Sequence, residues 1–239
     1  MRLVEIQQLL GLCKPTAHRL LASLVQHGLA QQDPSTRRYL LGPAIHQLAQ
    51  SAPRMTDELQ QLCLPAVRRL AARSGQTALL LLRFGLETLC VERCGGTPRT
   101  RHIARVGLLR PLGMGAAGVS ILGELDDENV SLVLRQVLPR IRRCPTGARR
   151  DLDSEISFTR QHGYAITRGS LIRGMMGIGV ALRDRHGLPI GALGLLIPEQ
   201  PLESANQIRA IRALQCEREL AERASATSSR ASARAGRAN

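Results

Sequence analysis

The stretch Gly11-Leu-Cys-Lys-Pro-Thr-Ala-His-Arg-Leu-Leu-Ala-Ser-Leu24 runs on through Val25-Gln-His-Gly-Leu-Ala-Gln-Gln-Asp-Pro-Ser-Thr-Arg-Arg-Tyr-Leu-Leu-Gly42. Within it Ala17, Leu20, Leu21, Leu24 and Val25 recur at helical spacing, which predicts an amphipathic helix with this stripe turned inward. Pro15 suits the first turn, where its missing N–H has no intrahelical partner to lose, and Gly28 is placed to stop the helix. The opposite side carries Pro15, Arg19, Ala22 and Gln26, flanked by Thr16 and His18. Upstream, Leu3, Ile6 and Leu10 predict a short helix broken at Gly11. Downstream, Asp33-Pro34-Ser35-Thr36 supplies turn chemistry between two short extended runs, a hairpin or wing. Helix, glycine turn, helix and basic hairpin is the arrangement that puts one helix in the major groove of duplex DNA while the wing touches the backbone. Lys14, Thr16, His18 and Arg19, near the start of the second helix, are the candidates for phosphates and base edges, and Arg37 and Arg38 for sequence-independent phosphate attraction. The alternative reading of the same pattern is a small helical subdomain with a solvated basic face.

Beyond Gly42-Pro43 a further helix is predicted, with Ile45, Leu48 and Ala49 on one side, ending before Pro53. Residues 56–75 read as helical despite Pro65. The period then changes: residues 77–84 and 86–91 are short apolar runs around Gly85, two strands of a hairpin, with 101–106 a third strand. Helices are expected over 115–122, 126–138 and 152–161, the last stopped by Gly163. Strands are expected over 164–167, 175–182 and 189–197, then a helix over 203–223 and a disordered tail over 224–239. The fold class is α/β (α+β): a winged helix-turn-helix over 1–42, a linker helix over 43–55, and a mixed α/β domain of about six strands over 56–223.

Of 239 residues 44% are hydrophobic, enough for a buried core, and the formal charge is +14 with Lys14 the sole lysine. Residues 1–50 hold five basic and two acidic residues, a net of +3, so charge alone argues weakly for DNA. Aromatics amount to 2% (Tyr39, Tyr164, Phe84, Phe158), which argues against stacked aromatic platforms for single strands or RNA. Cysteines 13, 63, 90, 94, 144 and 216 form no C-x-x-C, and the chain shows neither a signal peptide nor a run of about 20 apolar residues, so a cytoplasmic protein with no membrane partner is expected. Cys90, Cys94 and His102 lack a second ligand pair at zinc spacing and an activating base, so neither a metal nor thiol catalysis is expected. Gly113-Met-Gly-Ala-Ala-Gly118 matches G-x-G-x-x-G, yet Leu109-Arg110-Pro111 makes a poor strand end and position 138 is Leu rather than an acid. A tight loop feeding a helix N-terminus is the simpler reading, and no cofactor is expected. The glycines at 174, 177, 179, 191 and 194 fall where strands are predicted, and they mark either ligand approach or backbone packed on backbone.

With these residues in view, the chain resembles the IclR family of bacterial transcriptional regulators over nearly its whole length. The resemblance is carried by the 11–24 stretch, His27-Gly28-Leu29, Asp33-Pro34 and Arg38-Tyr39-Leu-Leu-Gly-Pro43. It continues through Thr77, Cys90-Val-Glu-Arg93, Arg105-Val-Gly107, Arg110-Pro-Leu-Gly-Met-Gly-Ala-Ala-Gly118, Gly163-Tyr-Ala165, residues 174–183 and residues 189–196. It implies a GAF-like effector-binding domain behind the winged helix-turn-helix, a homodimer or homotetramer on an operator in double-stranded DNA, repression or activation of catabolic genes, and no enzyme activity. It also implies an effector pocket lined by Met114, Gly115, Ala116, Ala117, Met175, Met176, Gly177, Gly194 and Leu196. Three departures bear on function. Members carry a helix ahead of the pair, missing from this pattern; Pro15 replaces a small hydroxylated residue; and Gly194 and Leu196 stand where serines are frequent, with Gly169 or Ser170 where an acid is common. The last points to a small-molecule effector that is apolar or aromatic. The first leaves an alternative, a small-molecule sensing or protein-interaction module that has lost DNA binding through truncation.

Overall fold

The computed structural model describes residues 1–51, 54–144, 151–199 and 204–235, and the side chains among these outside 49–58 and 226–235. Two compact units divide the chain, Met1–Arg54 and Met55–Asn239.

The first unit contains α1 (Leu3–Leu10), α2 (Lys14–Gln26), β1 (Ala30–Gln32), β2 (Tyr39–Leu41) and α3 (Pro43–Ser51). Gly11 closes α1 in the left-handed conformation, φ +63°, and Cys13, in extended backbone, opens α2 with Pro15 in its first turn. β1 and β2 pair antiparallel, Ala30 opposite Leu41. A Cβ on Gly42 would fall 2.1 Å from the Gly28 carbonyl oxygen, so only glycine lets the returning strand close on the end of α2. Met1 joins this hairpin, its amino group donating to the Tyr39 carbonyl and its carbonyl accepting from the Tyr39 N–H. The inward stripe predicted for α2 is corrected: Ala17 and Leu21 are buried, but Leu20, Leu24 and Val25 are 49%, 41% and 39% exposed. Leu10 of α1 is exposed as well. Short helices and a hairpin of two three-residue strands offer too little surface to cover the whole stripe.

The second unit contains α4 (Arg54–Ser74), β3 (Thr77–Phe84), β4 (Glu87–Cys94), α5 (Pro98–Arg101), β5 (Leu109–Pro111), α6 (Gly115–Gly123), α7 (Asp127–Arg142), α8 (Leu152–His162), β6 (Ala165–Arg168), β7 (Met175–Arg183), β8 (Pro189–Pro198) and α9 (Ala205–Ala235). Six antiparallel strands form one sheet in the order β5-β4-β3-β8-β7-β6. Strand alternation splits the leucine run of β3 between two cores: Leu79 and Leu81 face α6, α7 and α8, while Ala78, Leu80 and Leu82 face α4 and α9. Asp126 caps α7 by accepting from the Asn129 N–H, Asp151 caps α8 through the Ser154 N–H, and Gly163 ends α8 at φ +74°. Arg69 of α4 donates through two nitrogens to the buried Glu217 carboxylate of α9, at 2.9 and 2.6 Å. The molecule is a mixed α+β protein.

Three elements differ from expectation. The strand predicted over 101–106 is absent: Arg101 ends the helical turn α5, set up by Gly95 and Gly96 at positive φ and by Pro98, residues 102–106 continue as turns and irregular backbone, and the third strand is β5 instead. Pro111 is tolerated there because β5 is an edge strand. α7 runs past Leu138 and through Pro139 to Arg142, since Val137 and Ile141 continue its buried stripe at i, i+4. α9 continues to Ala235 where a disordered tail was expected after residue 223; the segment is rich in alanine, the strongest helix former, and contains neither glycine nor proline before Gly236.

Candidate functional site

In the first unit, Lys14, Pro15, His18 and Arg19 are all exposed at the start of α2. Thr16 is half-buried, its hydroxyl 3.1 Å from the Cys13 sulfur. That bond is the main cause holding the exposed Cys13 thiol below its ordinary pKa. The Thr16 hydroxyl, a candidate for phosphate contact, thus has a local partner in Cys13. In the wing, the Asp33 carboxylate accepts from the Ser35 hydroxyl at 2.6 Å, the Ser35 N–H at 2.8 Å and the Thr36 N–H at 3.0 Å. These bonds push its pKa down to about 2. Arg37 follows in left-handed backbone, φ +57°, and both Arg37 and Arg38 are exposed. Among the described residues no carboxylate lies within ion-pair distance of Lys14, Arg19, Arg37 or Arg38, so this face carries positive charge uncompensated by acidic neighbours.

In the second unit, the glycine-rich stretch Gly113–Gly118 runs from the turn after β5 into the first residues of α6, a strand-to-helix turn after all, though on the edge of an antiparallel sheet rather than in the parallel unit that binds dinucleotides. Gly113 and Gly115 take φ of +90° and +76°, and a Cβ on Gly118 would approach the Gly113 nitrogen to 2.9 Å. The N-terminus of α6 sits directly on β7: a Cβ on Gly179 would lie 2.6 Å from the backbone of Ala116 and Ala117. The glycines of the strands therefore serve backbone-on-backbone packing at 179, while 177 and 194 lie under Ala116 and Ala117 at the floor of a cavity.

That cavity lies between α6 and the sheet. Met114, Gly115, Ala116, Ala117, Gly177, Gly194 and Leu196 line it. Two candidates do not. Met175 packs partly buried beside the same core, and Met176 is fully buried in the opposite one among α4 and α9, because neighbouring residues of a strand face opposite ways and Gly177 takes the cavity side. The structure adds Leu79 and Leu81 of β3, Cys90 of β4, Arg110 of β5 and Leu171. Topology brings these in from strands far away in sequence, and the unbroken Leu79–Leu82 run hides which leucines face the site. Burial pushes the Cys90 thiol up to about 11, so it is a neutral lining group and not a thiolate. Among the described residues no three His, Cys, Asp or Glu side chains gather to hold a metal ion, and no helix is long and apolar enough to cross a membrane.

Comparison with known proteins gives two family matches: the bacterial transcriptional regulator IclR C-terminal domain over residues 55–225, and the IclR helix-turn-helix domain over residues 1–34. The glycerol operon regulatory protein of Streptomyces griseus is 28% identical over 200 residues, 84% of this chain and 78% of its own. The transcriptional repressor IclR of Escherichia coli is 25% identical over 199 residues, 82% and 72% of the two chains. Among solved structures, an IclR homolog of Microbacterium hydrocarbonoxydans complexed with 4-hydroxybenzoate superposes with a TM-score of 0.74 at 24% identity, covering 95% of this chain and 92% of the other. These relatives are regulators of transcription and not enzymes.

Proposed function

The chain belongs to the IclR family of bacterial transcriptional regulators, and from that premise we propose that it is an effector-responsive, DNA-binding regulator of catabolic genes in the cytoplasm. Residues 1–42 are the winged helix-turn-helix, 43–55 the linker helix and 56–223 the effector-binding domain of a homodimer or homotetramer. α2 enters the major groove of a double-stranded operator, Lys14, His18 and Arg19 reach phosphates and base edges, and Arg37 and Arg38 hold the adjacent backbone. The observation that carries this reading is the cationic face of α2, exposed and without acidic neighbours, in a segment matching the family's helix-turn-helix. That match also speaks against a module that has lost DNA binding.

The cavity under α6 is the effector site. Its walls of leucine, methionine and glycine suit a small apolar or aromatic body, and an aromatic compound, 4-hydroxybenzoate, is present in the Microbacterium fold neighbour. A ligand there changes operator affinity only through its different affinity for the two states of the protein, with a coupling of about 1–3 kcal/mol. Selection of duplex oligonucleotides from a random pool with the whole protein tests the reading. One preferred site is expected. Arg19→Ala then relaxes base preference at one position, and Arg37→Ala weakens all sequences alike and lowers the salt slope by about one. No preferred duplex at low ionic strength overturns it.

A further inference from the structure

The cavity under α6 has hydrocarbon walls and a single charged side chain among its lining residues, Arg110. The edge strand β5 carries it, and its Nη2 donates to the Ile103 carbonyl oxygen. Among the described residues no carboxylate lies within ion-pair distance of this guanidinium. The thiol beside it, Cys90, is held neutral by burial. A guanidinium does not shed its proton, and a charge withdrawn from water calls for a counter-charge.

A second arginine stands on the same face of the sheet. The register shift between Leu80 and Leu81 leaves Cys90 opposite Leu81 and Arg93 opposite Leu79, so both project to the side of these two lining leucines. Arg93 Nε is buried and has no hydrogen-bond partner among the described residues. α6 begins at Gly115, with Met114 as N-cap and no side chain capping its first N–H groups, and both residues line the cavity. One cation and a helix N-terminus thus border an otherwise apolar space, with Arg93 on the same sheet face, and among the described residues no carboxylate lies within ion-pair distance of either arginine.

We propose that the cavity selects organic monoanions: a carboxylate pairs with the Arg110 guanidinium while an apolar body fills the space between Leu79, Leu81, Leu171 and Leu196. The assignment rests on the cavity being the effector site. Arg110 is its charge-selecting residue, and Arg93 adds positive potential from behind.

Isothermal titration of the full-length protein with matched pairs, benzoate against benzamide and hexanoate against hexanamide, separates the two claims. Each acid is expected to bind at least about tenfold tighter than its amide. In Arg110→Gln that ratio falls to about two or less, and Arg110→Lys restores part of it, while the melting temperature of each ligand-free variant stays near that of the parent. Equal binding of acid and amide by the parent, or a ratio unchanged in Arg110→Gln, overturns anion selection and leaves the cavity as a site. Failure of all four compounds to bind at millimolar concentration overturns the cavity reading and the charge assignment together.

Discussion

Asp33 organises the wing with one carboxylate, accepting from the Ser35 hydroxyl and from the N–H groups of Ser35 and Thr36. All three bonds go to Oδ1 and are stronger to the ionised form, which is why its pKa falls from 3.8 to about 2. A depressed folded-state value fixes the sign of the pH dependence: the contribution is complete above the unfolded value of 3.8 and is lost as pH falls through about 2. NMR titration of the side-chain carboxyl is expected to give a midpoint about 2, and in Ser35→Ala, which removes the largest of the three effects, a midpoint moved back toward 3.8. An Asp33 midpoint near 3.8 in the parent protein contradicts the turn geometry. The turn itself was legible, because Asp-Pro-Ser-Thr is a sequence whose side chains bond their own backbone. The left-handed Arg37 was not: nothing distinguishes it from Arg38 until the hairpin closes and one residue has to take the positive φ.

At the scale of elements, the seat of α6 on the sheet determines both the cavity and the stability of the second unit. A methyl group at position 179 meets backbone atoms of Ala116 and Ala117 at 2.6 Å, which cannot rotate away as a side chain can. At position 194 it meets the Ala117 Cβ at 3.4 Å, the Ile178 carbonyl at 3.7 Å and the Leu79 Cβ at 4.0 Å, ordinary contacts. Gly179→Ala is therefore expected to lower the urea unfolding free energy of this unit by about 2–3 kcal/mol, and Gly194→Ala by under about 1 kcal/mol while weakening ligand binding by filling the floor. Equal destabilisation by the two substitutions rejects this account of the glycines. Sequence reading located these glycines but could not separate packing from ligand approach, since both produce the same residue. The helices with caps and period-3.6 stripes were legible, as were the long β7 and β8. Three-residue β5 was not, because an arginine and a proline on a sheet edge carry no periodic signal, and with it Arg110 was lost from the candidate site.

The two units differ in how much they bury, and the difference has a thermodynamic consequence for the whole chain. Among the described side chains the first unit buries the apolar residues Ala17 and Leu21, whereas the second encloses one core on each face of a six-stranded sheet, reinforced by the Arg69–Glu217 pair. Apolar burial is the main favourable contribution to folding, so stability is distributed very unevenly along the chain. Calorimetry is expected to show two transitions, a small one at lower temperature from residues 1–54 and a larger one from the remainder. Ligands that bind only a folded unit raise the transition of that unit. A preferred operator duplex should raise the first transition, and benzoate the second. The Arg110→Gln variant should keep the duplex effect and lose the benzoate effect, because the arginine belongs to the second unit alone. A single transition raised equally by both ligands would instead mean that the first unit borrows its stability from the second.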